Sequence, residues 1–148
     1  VMVVQNAGEY DRSNIEVRGY HLKRESTETF LKTMYVVDFE GVRLCFLGHL
    51  ASPLEGVELD PLEDIDVLFI PGGGKPFIEQ EKAIKLIHQL EPKVVIPSFF
   101  KVPGLTRASN DVSAFVKEFG AKVDAQDKFT FKKKDLREKG TDCVVLKI

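Results

Sequence analysis

The chain has 148 residues, of which 43% are hydrophobic and 30% are charged, a composition typical of one soluble globular domain and not of a disordered chain. Its net charge of −2 provides no basic surface for nucleic acid or for an anionic membrane. The longest apolar runs reach about half of the roughly 20 residues that a membrane-spanning helix needs, and no secretory leader opens the chain, so we expect a cytoplasmic protein that binds neither nucleic acid nor membrane.

The first half of the chain has the patterns of β-strands. Residues 15–22 alternate between apolar and polar side chains, which predicts a half-exposed strand, and the charged tract 23–28 predicts a solvated loop. The apolar runs 34–39 and 42–47 are separated by a Glu-Gly spacer, a spacing that is typical of a tight hairpin. These two runs should therefore pair as antiparallel strands.

The middle of the chain predicts a β-α-β unit. Residues 94–96, and residues 65–70 apart from Asp66, are apolar without alternation, as expected of strands that are covered on both faces. Between them, residues 78–90 carry apolar side chains at helical spacing, and this helix should end at Glu91 because a residue before proline avoids the α region. The two strands should then be parallel, with a right-handed crossover.

The last third of the chain predicts a second helix and a final strand. The helix should have Ser109 or Asn110 as its N-cap and should stop at Gly120, which accepts the left-handed conformation of a C-cap. Its buried face should consist of Val112, Phe115, Val116 and Phe119. The basic run 132–137 should be solvated, and residues 143–146 should form the last strand. The predicted fold class is α/β with a mixed sheet.

Four segments occur in an order that carries a family resemblance. They are Gly-Glu-Tyr-Asp at 8–11, the hairpin strand at 41–49, Ile-Asp-Val-Leu-Phe-Ile-Pro-Gly-Gly at 65–73, and Glu-Pro-Lys-Val-Val-Ile-Pro at 91–97. Together they resemble the C-terminal two-thirds of the small Zn-dependent hydrolases of the metallo-β-lactamase superfamily. The resemblance implies part of a four-layer αββα sandwich with a mixed β-sheet, two main helices, and a metal site at one edge between two sheets.

The metal ligands of that family are not matched in this chain. A zinc-bound hydroxide requires several histidine and carboxylate ligands and one open coordination position. The family takes these ligands from a His-x-His-x-Asp-His loop, a Leu-Gly-Asp strand end and a histidine after Ile-Pro. The resemblance places His49 where the aspartate is expected and Phe99 where the late histidine is expected, and the printed sequence has no His-x-His-x-Asp-His loop. We therefore expect no zinc or other cofactor in this chain.

Three positions are interpreted as vestiges of such a site: Glu9, His49 and Phe99. Glu9 belongs to a segment that recurs in the family, but we favour a solvated or turn-capping carboxylate. Imidazole is a good zinc ligand, although the alternative for His49 is a loop histidine bonded to the backbone. The ring of Phe99 cannot coordinate a metal and should fill space near the vestigial site.

The glycine-rich segment 71–76 is expected to form a turn beside this edge. It lacks the spacing of a phosphate-binding loop, because Pro76 follows the lysine where serine or threonine is required. A close-packed turn between strand and helix is therefore favoured. A pocket can nevertheless persist after its metal is lost. The residues expected to line such a pocket are Gly72, Gly73, Ser98 and Phe100.

Two functional hypotheses follow. The first is a metallo-β-lactamase-fold protein that is catalytically inactive or truncated, a pseudoenzyme or a binding module. The alternative is a Zn-dependent hydrolase of a phosphate, ester or lactone that uses atypical ligands such as His49 and Glu9, or that is completed by a partner chain or by a missing N-terminal segment. Residues 1–148 are interpreted as one domain that lacks the N-terminal part of the fold, because the chain begins at Val1, inside an apolar run.

A domain without its first sheet would expose an apolar sheet face. We therefore expect a homodimer, or a partner chain that covers that face, or else poor solubility. The small-molecule partner is not defined by these residues, because one fold serves many chemistries.

Overall fold

The computed structural model describes residues 3–104, 106 and 109–147. These residues form a mixed sheet of seven strands, in which each strand neighbours the next in the chain. The strands are β1 (Gly8–Arg12), β2 (Ile15–His21), β3 (Thr33–Phe39), β4 (Val42–Phe46), β5 (Val67–Pro71), β6 (Val94–Ser98) and β7 (Asp142–Cys143). Strands β1 to β4 are antiparallel, and β4 to β7 are parallel.

The predicted hairpin is the β3–β4 pair. Glu40 and Gly41 have φ angles of 50° and 75°, the two left-handed residues that a type I′ turn requires. Phe39 faces Val42 across this turn. Asp38, the residue before Phe39, points to the other face of the sheet. There its carboxylate lies 3.5 Å from the guanidinium of Arg43, the residue that it faces on β4. The hairpin prediction is confirmed, because a two-residue turn leaves only one register.

The β-α-β unit is also confirmed, with a helix shorter than expected. Helix α1 (Gln80–Leu90) begins two residues after the predicted start, because the backbone of its N-cap, Glu79, is extended (φ −63°, ψ 142°). The N–H of Ile78, before the cap, donates to the carbonyl of Leu50 at 2.9 Å. The helix ends at Glu91, which is left-handed (φ 46°) and not extended, and the Glu91 N–H donates to the Ile87 carbonyl at 2.8 Å. Proline therefore ends the helix as predicted, by way of a different backbone conformation.

Helix α2 (Val112–Phe119) corrects the predicted N-cap. The cap is Asp111, whose carboxylate accepts the N–H of Ser113 at 2.8 Å, whereas the N–H of Asn110 donates to the Gly73 carbonyl at 2.8 Å. Gly120 ends the helix in the left-handed conformation, as predicted. Of the predicted apolar face, only Phe115 is fully buried, and the other three residues, Val112, Val116 and Phe119, are half-buried.

The C-terminal segment differs most from the sequence prediction. The basic run is not simply solvated, because a short 3₁₀ turn at Lys133–Asp135 brings the Lys133 amine into an ion pair with the buried carboxylate of Asp66. The last strand, β7, is only two residues long. Beyond it, the N–H of Val144 still donates to the Val95 carbonyl of β6. Residues 145 and 147 form hydrogen bonds with Gln126, so Leu146 forms an isolated bridge with Gln126.

The two faces of the sheet are covered differently. Helices α1 and α2 and the loop 50–62 pack on one face around the buried side chains of β3 to β6. The C-terminal segment packs on the other face over β4, β5 and β6. The predicted α/β class with a mixed sheet and two main helices is confirmed, and the described residues supply one sheet and one helical layer. No helix among them is both long and apolar enough to span a membrane.

Candidate functional site

Strands β4, β5 and β6 are parallel to one another, so their carboxyl ends lie at one edge of the sheet. The segments that follow them are the Leu47-Gly48-His49 turn, the glycine turn 72–74, and Phe99-Phe100. In α/β sheets, the loops at the carboxyl ends of strands are the usual place for a ligand site. This edge is therefore where the candidate residues can be tested against the geometry.

His49 lies among phenylalanine rings at this edge. Its ring centroid is 4.8 Å from that of Phe99, 5.6 Å from that of Phe77 and 5.9 Å from that of Phe30. We call these four residues the aromatic cluster. The phenylalanines have no metal-binding atoms, and their separations are those of packed aromatic pairs. The structure thus joins His49 and Phe99, two of the three predicted vestigial positions, in direct contact.

Phe99 occupies its position at a backbone cost. Its φ angle is 52°, a left-handed conformation that costs a residue with a large side chain roughly 1–2 kcal/mol. The carbonyl of Phe99 is also held against the glycine turn, since a Cβ on Gly73 would lie 2.4 Å from that oxygen. The strained backbone at the edge is therefore fixed by close packing of the β5 and β6 loops.

The four residues expected to line a pocket are closely packed against their neighbours. Gly72 is in close contact with the next strand, because a Cβ there would lie 2.6 Å from the Pro97 Cβ. The Ser98 hydroxyl donates to the Ile70 carbonyl at 3.2 Å, and Phe100 is 8% exposed. Gly73 is buried as well. Glycine is needed at 72 and 73 because two backbones approach there too closely for a side chain.

An open cavity of about 540 Å³ does lie next to the glycine turn. Its walls come from the third glycine, from the start of α1, and from the segment before α2. Its lining residues are Gly74, Lys75, Glu79, Gln80, Lys101, Ser109 and Asn110. The lining is polar, includes both signs of charge, and contains none of the four residues expected to line a pocket.

Glu9 is not brought to this edge. It lies in β1, the edge strand, where it faces Arg18 of β2. Strand β1 is three strands away from β4, a separation of about 14 Å at the usual strand spacing. The Glu9 side chain is exposed, which agrees with a solvated carboxylate.

Comparison with known proteins places the chain in a family. A family model described as "Beta-lactamase superfamily domain" matches residues 1–98. A solved member of the metallo-beta-lactamase superfamily from Thermotoga maritima superposes with a TM-score of 0.82 over 99% of this chain, at 23% sequence identity. The chain belongs to the metallo-β-lactamase superfamily.

Two further solved structures share the fold of this superfamily member. The metallo-beta-lactamase fold protein YhfI from Bacillus subtilis has a TM-score of 0.61 and 6% identity over 99% of this chain. Igni18, a metallo hydrolase from Ignicoccus hospitalis, has a TM-score of 0.57 and 15% identity over 80% of this chain. The matched regions are 73%, 52% and 52% of the Thermotoga, Bacillus and Ignicoccus chains. The chain thus spans between about half and three quarters of these superfamily proteins.

A buried carboxylate that the sequence analysis missed supports the His49 turn. Glu25, with 8% of its side chain exposed, accepts the N–H of Ala51 at 2.9 Å and both the N–H and the hydroxyl of Ser52 at 2.5 Å. The Lys32 amine donates to it at 3.0 Å. Its partners lie 7 to 27 residues away in the chain, so no local pattern distinguishes Glu25 from its charged neighbours.

The tract 23–28 is therefore a loop, as predicted, but it is not only a solvated one. Arg24 also bridges to the 3₁₀ turn Gly56–Glu58, donating to the Glu58 carboxylate at 2.6 Å and to the Pro53 carbonyl at 2.9 Å. Burial raises the pKa of Glu25, but the hydrogen bonds from Ser52, Ala51 and Lys32 outweigh burial and lower that pKa overall. The ionised carboxylate is the form that holds the turn.

We expect Glu25→Gln to lower the free energy of unfolding by about 2 kcal/mol, because hydrogen bonds to a charged group are worth roughly 1.5–3 kcal/mol. The amides of Ala51 and Ser52 should also exchange with solvent faster. Urea unfolding and hydrogen exchange measure the two effects. The control is Glu55→Gln, since the Glu55 side chain is 71% exposed and its ion pair with Arg24 should contribute little. Equal losses in both variants would contradict a special role for Glu25.

Proposed function

We propose that this chain is a non-catalytic member of the metallo-β-lactamase superfamily, a binding module whose strand edge presents aromatic rings in place of a ligand set. The observation that carries the proposal is the contact between His49 and Phe99, whose ring centroids are 4.8 Å apart. The resemblance to the family leads one to expect an aspartate and a histidine at these two positions. Within the described part of the chain, one imidazole beside three phenylalanines does not supply the three or four donors that zinc requires.

The wider set of donors supports the same proposal. Within residues 3–104, 106 and 109–147, no three His, Cys, Asp or Glu side chains lie close enough to hold a metal ion. These residues therefore do not fit the zinc that the superfamily implies. The thiols are poor nucleophiles, because burial raises the pKa of Cys45 to about 12 and that of Cys143 to about 11, and the thiolate is the reactive form.

The aromatic cluster is suited to binding and not to bond cleavage. Phe30 is 52% exposed, His49 is exposed, and Phe77 and Phe99 are half-buried. Such rings provide stacking and apolar contact for a flat or apolar group. The substrate class, the cytoplasmic location and the interpretation of residues 1–148 as one domain lacking the N-terminal part of the fold stay predictions.

The zinc content of the purified protein tests the proposal against the alternative of a hydrolase with atypical ligands. After incubation with zinc and gel filtration, elemental analysis should find far less than one zinc per chain, and His49→Ala should not change that value. His88→Ala is the matched control, because His88 is exposed on α1, away from the edge. About one zinc per chain that is lost in His49→Ala and kept in His88→Ala would overturn the proposal.

A further inference from the structure

A cavity of about 430 Å³ lies on the helical side of the sheet, beside the β2–β3 pair. Tyr20 of β2 is paired with Met34 of β3, and both side chains pack in the core that the two helices cover. The opposite wall of the cavity is the segment 55–61, which we call the strap. The apolar side chains that line the cavity are those of Tyr20, Leu22, Met34, Val57 and Pro61.

The strap is fixed at both ends by arginine side chains. At its start, the Arg24 guanidinium donates to the carboxylates of Glu55 and Glu58 at 3.0 and 2.6 Å. At its end, the Arg43 guanidinium donates to the Pro61 carbonyl at 3.1 Å. These contacts lie within the chain itself, so the cavity is preformed and a ligand does not have to order the strap.

The charges at the mouth of the cavity balance one another. Two acidic residues, Glu55 and Glu58, and two basic residues, Lys23 and Arg24, contribute to the lining, and Arg24 pairs with both acids. The apolar side chains offer no partner to an ionised group, and burying a charge without a partner is unfavourable. The cavity is therefore suited to an uncharged ligand.

Val57 stands at this cavity and not in the core. It is 80% exposed, the highest value among the exposed large apolar side chains of the described chain. It belongs to the strap, in the turn Gly56–Glu58, and it also lines the cavity. A ligand in the cavity would remove apolar surface of Val57 from water, which favours binding.

We propose that this cavity binds a small uncharged aromatic molecule. Its volume of about 430 Å³ lies within the range of roughly 300–1,000 Å³ that is usual for small-molecule sites. The apolar walls drive binding by burial, and the half-buried ring of Tyr20 offers aromatic contact. The cavity shares no residue with the aromatic cluster, so this inference does not depend on the proposed function.

Nuclear magnetic resonance of the methionine methyl groups tests the inference, with benzyl alcohol as the probe. The chain has two methionines, and in a Met2→Leu variant the remaining methyl signal is that of Met34, which lines the cavity. Benzyl alcohol should shift this signal saturably, with a dissociation constant of about 1 mM for so small a ligand. Benzoate and benzylammonium, which have the same ring and a charge, should each bind at least fivefold more weakly.

Val57→Asn tests the role of the strap, because the substitution keeps the size of the side chain and removes its apolar surface. It should weaken the binding of benzyl alcohol about threefold or more. Val3→Asn is the matched control, since Val3 is also strongly exposed, at 69%, and does not line the cavity. The control should bind like the unmodified chain. Both substitutions are on exposed positions and should leave the fold intact.

Three results would overturn the inference. One is a Met34 signal that does not shift saturably with benzyl alcohol, a result that needs no cavity variant. Another is equal binding of benzyl alcohol and its two charged counterparts, which would contradict the selection for an uncharged ligand. The third is an affinity that Val57→Asn leaves unchanged, or that Val3→Asn lowers equally, since the strap would then have no specific part in binding.

Discussion

Replacing Asp66 by asparagine should lower the free energy of unfolding by about 3 kcal/mol, because removing one partner of a buried ion pair typically costs 3–5 kcal/mol. The side chain of Asp66 is 2% exposed. One carboxylate oxygen accepts the Lys93 amine at 2.8 Å, and the other accepts the Arg43 N–H at 2.9 Å and also the Lys133 amine. We take the lower end of the range because Lys93 and Lys133 are 32% and 46% exposed.

The physical reason is that one carboxylate joins four parts of the chain. Asp66 stands directly before β5, and its hydrogen bonds reach β4 through Arg43, the start of β6 through Lys93, and the C-terminal segment through Lys133. The amide of asparagine keeps the shape but leaves both ammonium groups without a counter-charge. Since about 1 kcal/mol shifts the melting temperature of a 150-residue domain by about 2–4 °C, calorimetry should find a fall of roughly 10 °C.

The Asp66 ion cluster also predicts a pH dependence. Burial raises the pKa of Asp66, but the hydrogen bonds from Lys133, Lys93 and the Arg43 amide outweigh burial and lower it overall. A lowered pKa in the folded state stabilises the protein above the unfolded value of about 3.9. That stability is lost as the pH falls through the lower pKa of the folded state. The stability difference between the unmodified chain and Asp66→Asn should therefore shrink below about pH 4.

Asp64→Asn is the matched control for this prediction. Asp64 lies two residues earlier and is exposed, and asparagine tolerates its left-handed backbone (φ 57°) as well as aspartate does. Its loss of stability should stay within about 0.5 kcal/mol. If Asp64→Asn and Asp66→Asn were equally destabilised, net charge and not the buried cluster would be the cause.

Phe115→Ala should cost about 3–5 kcal/mol, the usual range for removing a buried aromatic side chain. Phe115 is 0% exposed and is the only fully buried residue of α2 within the described chain. Its ring carbons lie 3.4 Å from the position that a Cβ on Gly72 would take. The cavity left by alanine should thus loosen both the packing of α2 and the glycine turn, and urea unfolding should record the full loss.

Phe119→Ala on the same helix separates burial from helix propensity. Phe119 stacks on Phe115 with ring centroids 6.4 Å apart but is only half-buried. Both variants gain the same helix propensity from alanine, so any difference between them reports packing. We expect about 1–2 kcal/mol for Phe119→Ala, and a loss as large as that of Phe115→Ala would show that the two rings act as one unit.

The parts of the fold that the sequence predicted correctly are those that depend on neighbours along the chain. The hairpin follows from a Glu-Gly spacer that allows one turn type, and the C-cap of α2 follows from Gly120 alone. The N-cap of α2 did not follow from local chemistry, because Ser109, Asn110 and Asp111 are all good caps. The bond from the Asn110 N–H to the Gly73 carbonyl commits that residue to the turn, and this bond depends on tertiary structure.

The candidate site was predicted only in part for the same reason. The positions of His49 and Phe99 came from contiguous segments that resemble a family. Phe30 and Phe77 belong to other segments, and their contact with His49 exists only once β3, β4 and α1 are assembled. The expected pocket lining stays a prediction, and its packing could not be predicted because the spacing of glycines indicates a tight turn but not which backbone packs against it.

The sequence by itself determined the order and type of the main strands and helices and the superfamily, whereas the vestigial roles of His49 and Phe99 stay predictions. Only the tertiary structure decided which charges are buried. Glu25 lies in a charged tract that was expected to be solvated, and Asp66 lies in a strand that was expected to be covered, where a charge is unfavourable unless partners compensate it. Those partners come from segments up to 67 residues away, so the environment of each carboxylate is a property of the fold and not of its neighbours in the chain.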